Sequence, residues 1–318
     1  MEHRNAGRSG LRLSAIGLGT MTWGRDTDEM DAADQLAEFT EAGGTFIDTA
    51  GSYGDGAAEE LLGSLMRSGL ADRDEVVIAT KAGSRMRGQR LTTDASRGNL
   101  IDNLTESLRR LGTDHVDLLL VQRPDPVVPL EETLGALKWA LDSGKTRYIG
   151  LSNHPAWVTA RAQTLIEETG LGLGLAAVEV EYSLLNRRLE VELAPAAAHL
   201  GLGLLTWSPL GRGVLTGKYR HGVPADSRAA SPHLRGFVAP YLSSAAAAVV
   251  EAVATAADGL GVAPLDIALA WVRGRAGVTS AILGARTAAQ LHTALVGADL
   301  ELPPEIVAAL DEVSSGSL

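Results

Sequence analysis

Thr45-Phe46-Ile47-Asp48-Thr49-Ala50-Gly51-Ser52-Tyr53-Gly54 reads as a buried strand that stops on an acid, followed by a small-residue turn that presents a tyrosine. The lead-in is apolar or β-branched, and the residues past Asp48 are small or polar. Val76-Val77-Ile78-Ala79-Thr80 repeats the pattern one unit later and stops on Lys81. An acid, a phenol and an amine are therefore delivered by consecutive strand–helix units. Parallel strands point their ends the same way, so the three groups can converge on one rim.

The alternation extends in both directions. A short hairpin is expected over 3–13, turning at Ser9-Gly10, and Ala15-Ile16-Gly17-Leu18-Gly19 is the first core strand. Further strands are expected at 116–121, 148–151, 176–181, 203–207 and 280–283. Helices are expected over 28–42, 57–66, 94–111, 129–142, 155–168, 190–199, 244–258 and 264–274, from Thr287, and over 303–313. In the 94–111 segment Ile101, Leu104, Leu108 and Leu111 recur at helical spacing, and Gly112 stops it. Residues 211–241 read as one long irregular loop rich in Gly, Pro, Ser and Arg.

Eight strands alternating with helices predict an α/β protein, a (β/α)8 TIM barrel spanning 1–318 as one domain. The rival is a doubly wound sheet, which should carry G-x-G-x-x-G after its first strand. Gly17-Leu18-Gly19-Thr20-Met21-Thr22 lacks the third glycine, and the glycines at 211, 213 and 217 have the wrong place and spacing.

Composition narrows the function. Of 318 residues, 45% are hydrophobic and 21% charged, ordinary for a globular chain. A net charge of -11 with no basic cluster argues against nucleic-acid partners. With no Cys, disulfides, thiolate catalysis and Cys-ligated zinc are excluded. No signal peptide or membrane span is expected, which fits a cytoplasmic protein. No interface pattern reveals an oligomer. The seven His residues form no H-E-x-x-H motif, and no G-x-S-x-G elbow exists. His154 reads as a solvated loop residue, with a substrate-site role as the alternative.

The informative residues are the polar ones at strand ends: Asp48, Lys81, Gln122, Ser152-Asn153, Glu179, Trp207-Ser208 and Arg286. Individually each has a structural reading, such as Asp48 capping a loop with Lys81 as its partner. Packing explains the joint placement poorly.

With these residues the chain resembles the aldo-keto reductase superfamily, on the side of the bacterial general reductases and potassium-channel β subunits. The signatures are Asp48-Thr49-Ala50-Gly51-Ser52-Tyr53-Gly54, Thr80-Lys81, Tyr182-Ser183-Leu184 and the run from Trp207 to Tyr219. The resemblance implies NADPH-dependent reduction of a small-molecule aldehyde or ketone. Tyr53 is then the general acid, Lys81 lowers its pKa, and Asp48 keeps Lys81 charged and oriented. The fourth catalytic position, usually His, is Gln122, which donates a hydrogen bond but cannot titrate. That departure keeps two alternatives open: an NADPH-binding regulatory or near-inactive protein, and a reductase of a conjugated C=C bond.

The resemblance also implies the cofactor contacts. Thr20 and Met21 lie in the first matching stretch, and Trp207 stacks on the nicotinamide with Ser208 beside it. Ser152 and Asn153 bind the carboxamide. Glu179 replaces a Gln and is an acceptor only when ionised. Backbone amides around Leu210, Gly211 and Gly213 cradle the pyrophosphate with Lys218 nearby. Arg228 and Arg286 clamp the 2′-phosphate, Gln290 meets the adenine, and Gly284 opens the last segment. An Asn usual four residues after Gln290 is Ala294 here. The 211–241 loop is expected to fold over the cofactor.

Overall fold

The computed structural model describes every residue except 88–89, 169–173, 226, 233 and 318, and the side chains of 87 and 317. Eight short, apolar segments form parallel strands: β1 Ile16–Gly19, β2 Phe46–Asp48, β3 Val77–Ala82, β4 Val116–Val121, β5 Thr146–Ser152, β6 Ala177–Glu181, β7 Gly203–Trp207 and β8 Val278–Leu283. Each hydrogen-bonds to its neighbours in chain order, and β8 pairs with β1 to close the barrel. The TIM barrel expected from the alternation is the observed fold. Strands buried on both faces are mostly apolar, and β4 (Val116–Val121, apolar but for Asp117) carries that composition.

Helices cover the outside, with inner faces set by helical periodicity. In Arg97–Leu111, Leu100, Leu104, Leu108 and Leu111 are buried. Each such leucine contributes about 1.5–3 kcal/mol on burial. Gly112 in the left-handed region ends this helix, as its position suggests. Among the described residues, no single helix is long and apolar enough to cross a membrane.

Several boundaries differ from the sequence expectation. The 94–111 helix begins at Arg97, because Asp94 closes a turn by accepting from the Ser96 amide at 3.0 Å. Ahead of it lies a hairpin that the reading missed, Ser84–Arg87 paired with Arg90–Thr93. The helix expected from Glu190 begins at Leu193, after a separate 3-10 turn at Arg188–Glu190. The 211–241 segment is not wholly irregular. It holds a 3-10 stretch Gly211–Thr216, a helical turn Arg235–Val238 and another 3-10 turn Ala239–Tyr241. The N-terminal hairpin forms as read, from His3–Asn5 and Arg12–Ser14.

Candidate active site

Asp48 and Lys81 meet because their strands are adjacent and parallel. Asp48 lies opposite Ala79 in the β2–β3 register, so Lys81 stands two residues further on. The Lys81 ammonium donates to Asp48 Oδ1 and, at 3.2 Å each, to the Thr49 carbonyl and the Tyr53 hydroxyl. Glu179 Oε2 lies 3.3 Å from the same nitrogen. Tyr53 is swung in by a tight turn in which Gly54, Asp55 and Gly56 are all left-handed, with φ of 59, 57 and 99°. A Cβ on Gly56 would lie 2.8 Å from Arg110 Cδ, so that position requires glycine.

Lys81 is 2% exposed and Glu179 3%, so the cluster sits out of water. Burial opposes the Lys81 charge, but Asp48, Glu179 and Tyr53 outweigh it and hold the ammonium above the ordinary lysine range. Tyr53 departs from expectation. Burial pushes its phenol up, and Lys81 offsets only part of that rise, while Asp48 and Glu179 add to it. Burial also raises both carboxyls. Glu179 is pushed up to about 8, by burial first and by the Asp48 charge second. Asp48 is raised too, by burial against the pull of Lys81. Asp48 holds the closer contact with the ammonium, and the two acids facing one cation titrate as a coupled pair. Glu179, an acceptor when ionised, has an O–H donor when it keeps its proton.

Gln122 follows β4 and faces the cavity. Its Oε1 accepts from the Ser52 hydroxyl at 2.9 Å, which leaves the amide nitrogen as the donor turned toward the site. Asn153 lines the cavity, as a ligand-binding residue would, and its side chain also braces the site. Its Nδ2 donates to the Gln122 carbonyl at 3.1 Å and to Ser152 Oγ at 2.9 Å, and its Oδ1 accepts from Trp207 Nε1 at 3.1 Å. Asn153 and Ser208, just beyond β5 and β7, hold left-handed backbone at φ 60 and 55°. Such conformations cost about 1–3 kcal/mol and persist where surrounding structure enforces them. Ser152 Oγ is 3.4 Å from Glu179 Oε1, within β5–β6 pairing that sets Glu179 opposite Ser152. His154 is buried, with Nδ1 2.8 Å from the Ser152 carbonyl, and burial pushes its imidazole down to about 4. It is neither solvated nor on the cavity wall.

One cavity of about 580 Å³ runs from this cluster along the barrel mouth. Of the predicted residues, Met21, Ser152, Asn153, Glu179, Trp207, Ser208 and Leu210 line it. Gly213, Lys218, Arg228, Gly284, Arg286 and Gln290 line its outer part. Thr20 and Gly211 do not line it. Thr20 is buried and donates to the Asp48 carbonyl at 3.1 Å, while Gly211 packs inward against Leu185. The expected amide cradle is also altered. The Gly211 amide donates to the Ser208 carbonyl at 2.9 Å and the Gly213 amide to Leu210 at 3.0 Å. A Cβ at Gly213 would come 3.3 Å from Lys218 Nζ, so its absence leaves room beside that cation. Arg228 donates to the Gly284 carbonyl. Burial, then the nearby Arg286 charge, lowers the Arg228 pKa, so two cations are crowded at this end.

Three elements were missed. Arg212 pairs bidentately with Glu181, at 2.7 and 2.6 Å, and its guanidinium stacks 4.0 Å from the Phe237 ring centre. Strand alternation puts Glu179 and Glu181 on one face, a signal that could have exposed it. Met86 and Leu91 of the second hairpin reach the cavity wall. Behind Lys81, buried Glu59 accepts from Thr80 Oγ1 at 2.5 Å and from Arg110 Nε at 2.7 Å.

A (β/α)8 barrel with a buried acid–lysine pair beside a phenol, at the inner end of an elongated mouth cavity, defines a barrel oxidoreductase. The chain belongs to the aldo/keto reductase family, whose model matches residues 15–315. It is 36% identical to a probable voltage-gated potassium channel subunit beta of Oryza sativa subsp. japonica, over 98% of this chain and 96% of that protein. It is 34% identical to the uncharacterized oxidoreductase YrpG of Bacillus subtilis, over 99% and 97%. It is 35% identical to L-glyceraldehyde 3-phosphate reductase of Escherichia coli, over 92% and 86%. Family and relatives together support a general oxidoreductase activity.

Proposed function

We propose that the chain reduces an aldehyde or ketone to an alcohol with NADPH as hydride donor. One observation carries this reading: the Tyr53 hydroxyl is 3.2 Å from the Lys81 ammonium on the wall of the cavity. A half-buried phenol with a raised pKa keeps its proton until a strongly basic oxygen forms beside it.

The residues present fit the dinucleotide. Trp207 offers a flat face at the inner end, the glycine at 213 leaves space beside Lys218, and Arg228 and Arg286 crowd positive charge at the outer end. Trp207 and Ser152 would hold the nicotinamide, Lys218 the pyrophosphate, Gln290 the adenine, and the two arginines a 2′-phosphate. Bound there, the cofactor supplies a hydride to the carbonyl carbon. Gln122 donates a hydrogen bond to the carbonyl oxygen. Tyr53 gives its proton to that oxygen, Lys81 stabilises the phenolate left behind, and Asp48 holds Lys81 charged and in place.

The test is NADPH oxidation with a reactive aromatic aldehyde, with NADPH binding titrated in parallel. Turnover in the wild type, lost in Tyr53→Phe while binding persists, is the expected result. Equal turnover in Tyr53→Phe overturns the reading. A second reading, a nucleotide-binding regulatory protein with little turnover, is favoured by the untitratable Gln122 and by likeness to proteins named as channel β subunits. Tight NADPH binding with no turnover of any carbonyl selects it.

A further inference from the structure

We propose that Glu179 supplies the proton that restores Tyr53 after each reduction, passing it through the Lys81 ammonium. The inference rests on the reductase reading above and gives Glu179 a role beyond contact with the cofactor.

The argument begins with a charge count. The groups around Glu179 are Asp48 from β2, Tyr53 from the turn after it and Lys81 from β3, with the neutral Ser152 hydroxyl on β5. Two carboxyls face one ammonium, and all three side chains are almost wholly buried. With both ionised the cluster would carry an uncompensated buried negative charge, which is costly. One retained proton makes it neutral. Glu179 Oε2 has no hydrogen-bond partner as a carboxylate, and its nearest cation is Lys81 Nζ at 3.3 Å. Lys81 Nζ is in turn 3.2 Å from the Tyr53 oxygen. Two hydrogen-bond-length gaps therefore connect Glu179 to Tyr53 through Lys81, and Gln122 has no proton to lend.

The steps balance. The hydride forms the new C–H bond, the carbonyl π pair moves to oxygen, and Tyr53 O–H breaks to form the alcohol O–H. The phenolate takes a proton from Lys81 N–H, and the neutral amine takes one from Glu179 O–H. The carboxylate left on Glu179 is reprotonated from solvent when product leaves. Per turnover one carbonyl, one NADPH and one solvent proton are consumed. Glu179 is a positioning and proton-holding residue that acts through Lys81.

Two measurements test this. The first is infrared titration of the cofactor-free wild type between pH 6 and 9. A protonated-carboxyl band that disappears through this range, shifts on 13C-labelling of glutamate, and is lost in both Glu179→Gln and Asp48→Asn, each of which leaves one carboxyl for one ammonium, is expected. No such band at pH 6 in the wild type overturns the proposal, whatever the variants do. The second is the pH profile of NADPH-dependent turnover. The wild type should lose at least tenfold between pH 7 and 9. Glu179→Gln should be slower at pH 7 and have no such limb. The same limb in both proteins overturns the proposal even if the band is present. If the wild type turns over no carbonyl, the reductase reading fails, and the relay built on it falls even where the infrared band shows a neutral Glu179.

Discussion

The Ser52 hydroxyl donates to Gln122 Oε1 across 2.9 Å, linking the turn that carries Tyr53 to the end of β4. That bond fixes which end of the amide meets the substrate oxygen. Ser52→Ala frees the Gln122 side chain to rotate and should lower kcat/KM for an aldehyde about tenfold, the scale of one misdirected hydrogen bond. NADPH affinity should hold. Steady-state kinetics with a fluorescence titration separate the two, and a loss confined to NADPH binding would contradict the assignment.

Lys81 serves both Asp48 and Tyr53. Lys81→Met leaves two acids without their cation and removes the stabilisation of the phenolate. Turnover should fall about 10²–10⁴-fold, the range for losing acid–base catalysis. Single-turnover kinetics at saturating NADPH check this, and a variant within threefold of wild type would refute the role.

Stability should depend on pH through Glu179, and the sign follows from its raised pKa. The folded acid keeps its proton to about 8, while the unfolded one releases it near 4.5. The contribution is therefore fully present below pH 4.5 and is lost as pH rises to about 8. The slope is at most about 1.4 kcal/mol per pH unit. Glu179→Gln cannot ionise, so its urea midpoint should fall less than that of the wild type between pH 5 and 9. Parallel curves would show that Glu179 is ionised in the fold.

Glu59 is fully buried and joins Thr80 to Arg110. Glu59→Ala strands the guanidinium in the wall behind Lys81. Breaking a buried pair from one side costs about 3–5 kcal/mol. Denaturant unfolding of the variant should show a loss of that order, and a loss below about 1 kcal/mol, the scale of an exposed pair, would show that water replaces the carboxylate.

Arg228 and Arg286 crowd one end of the cavity. If they clamp a 2′-phosphate, alanine at either should weaken NADPH binding about tenfold and leave NADH binding nearly unchanged, since a charged hydrogen bond contributes about 1.5–3 kcal/mol. Equal weakening of both cofactors would move the arginines to another part of the nucleotide.

Much of the site is legible without coordinates. Asp48 and Lys81 are readable because a strand that ends on a charge announces its rim position, and Tyr53 because a small-residue turn has few ways to go. The hairpin at Ser84–Arg87 and Arg90–Thr93 is less legible, because its strands are only four residues each. Thr20 and Gly211 fall within the matching motifs, yet the barrel turns them away from the cavity.

The sequence by itself determined the barrel, because eight apolar segments spaced by amphipathic helices have one economical way to bury their surface. It also determined the residue types at the rim. Only the tertiary structure decided their chemistry. The direction of the Tyr53 and Glu179 shifts depends on how many carboxyls close on one ammonium and how completely water is excluded, and those are distances between strands far apart in the chain. Asn153 reads as a ligand contact in sequence, and only the fold shows that its side chain also braces Gln122 and Trp207. Hydrogen-bond partners and desolvation are properties of the folded neighbourhood, which residue order encodes without displaying.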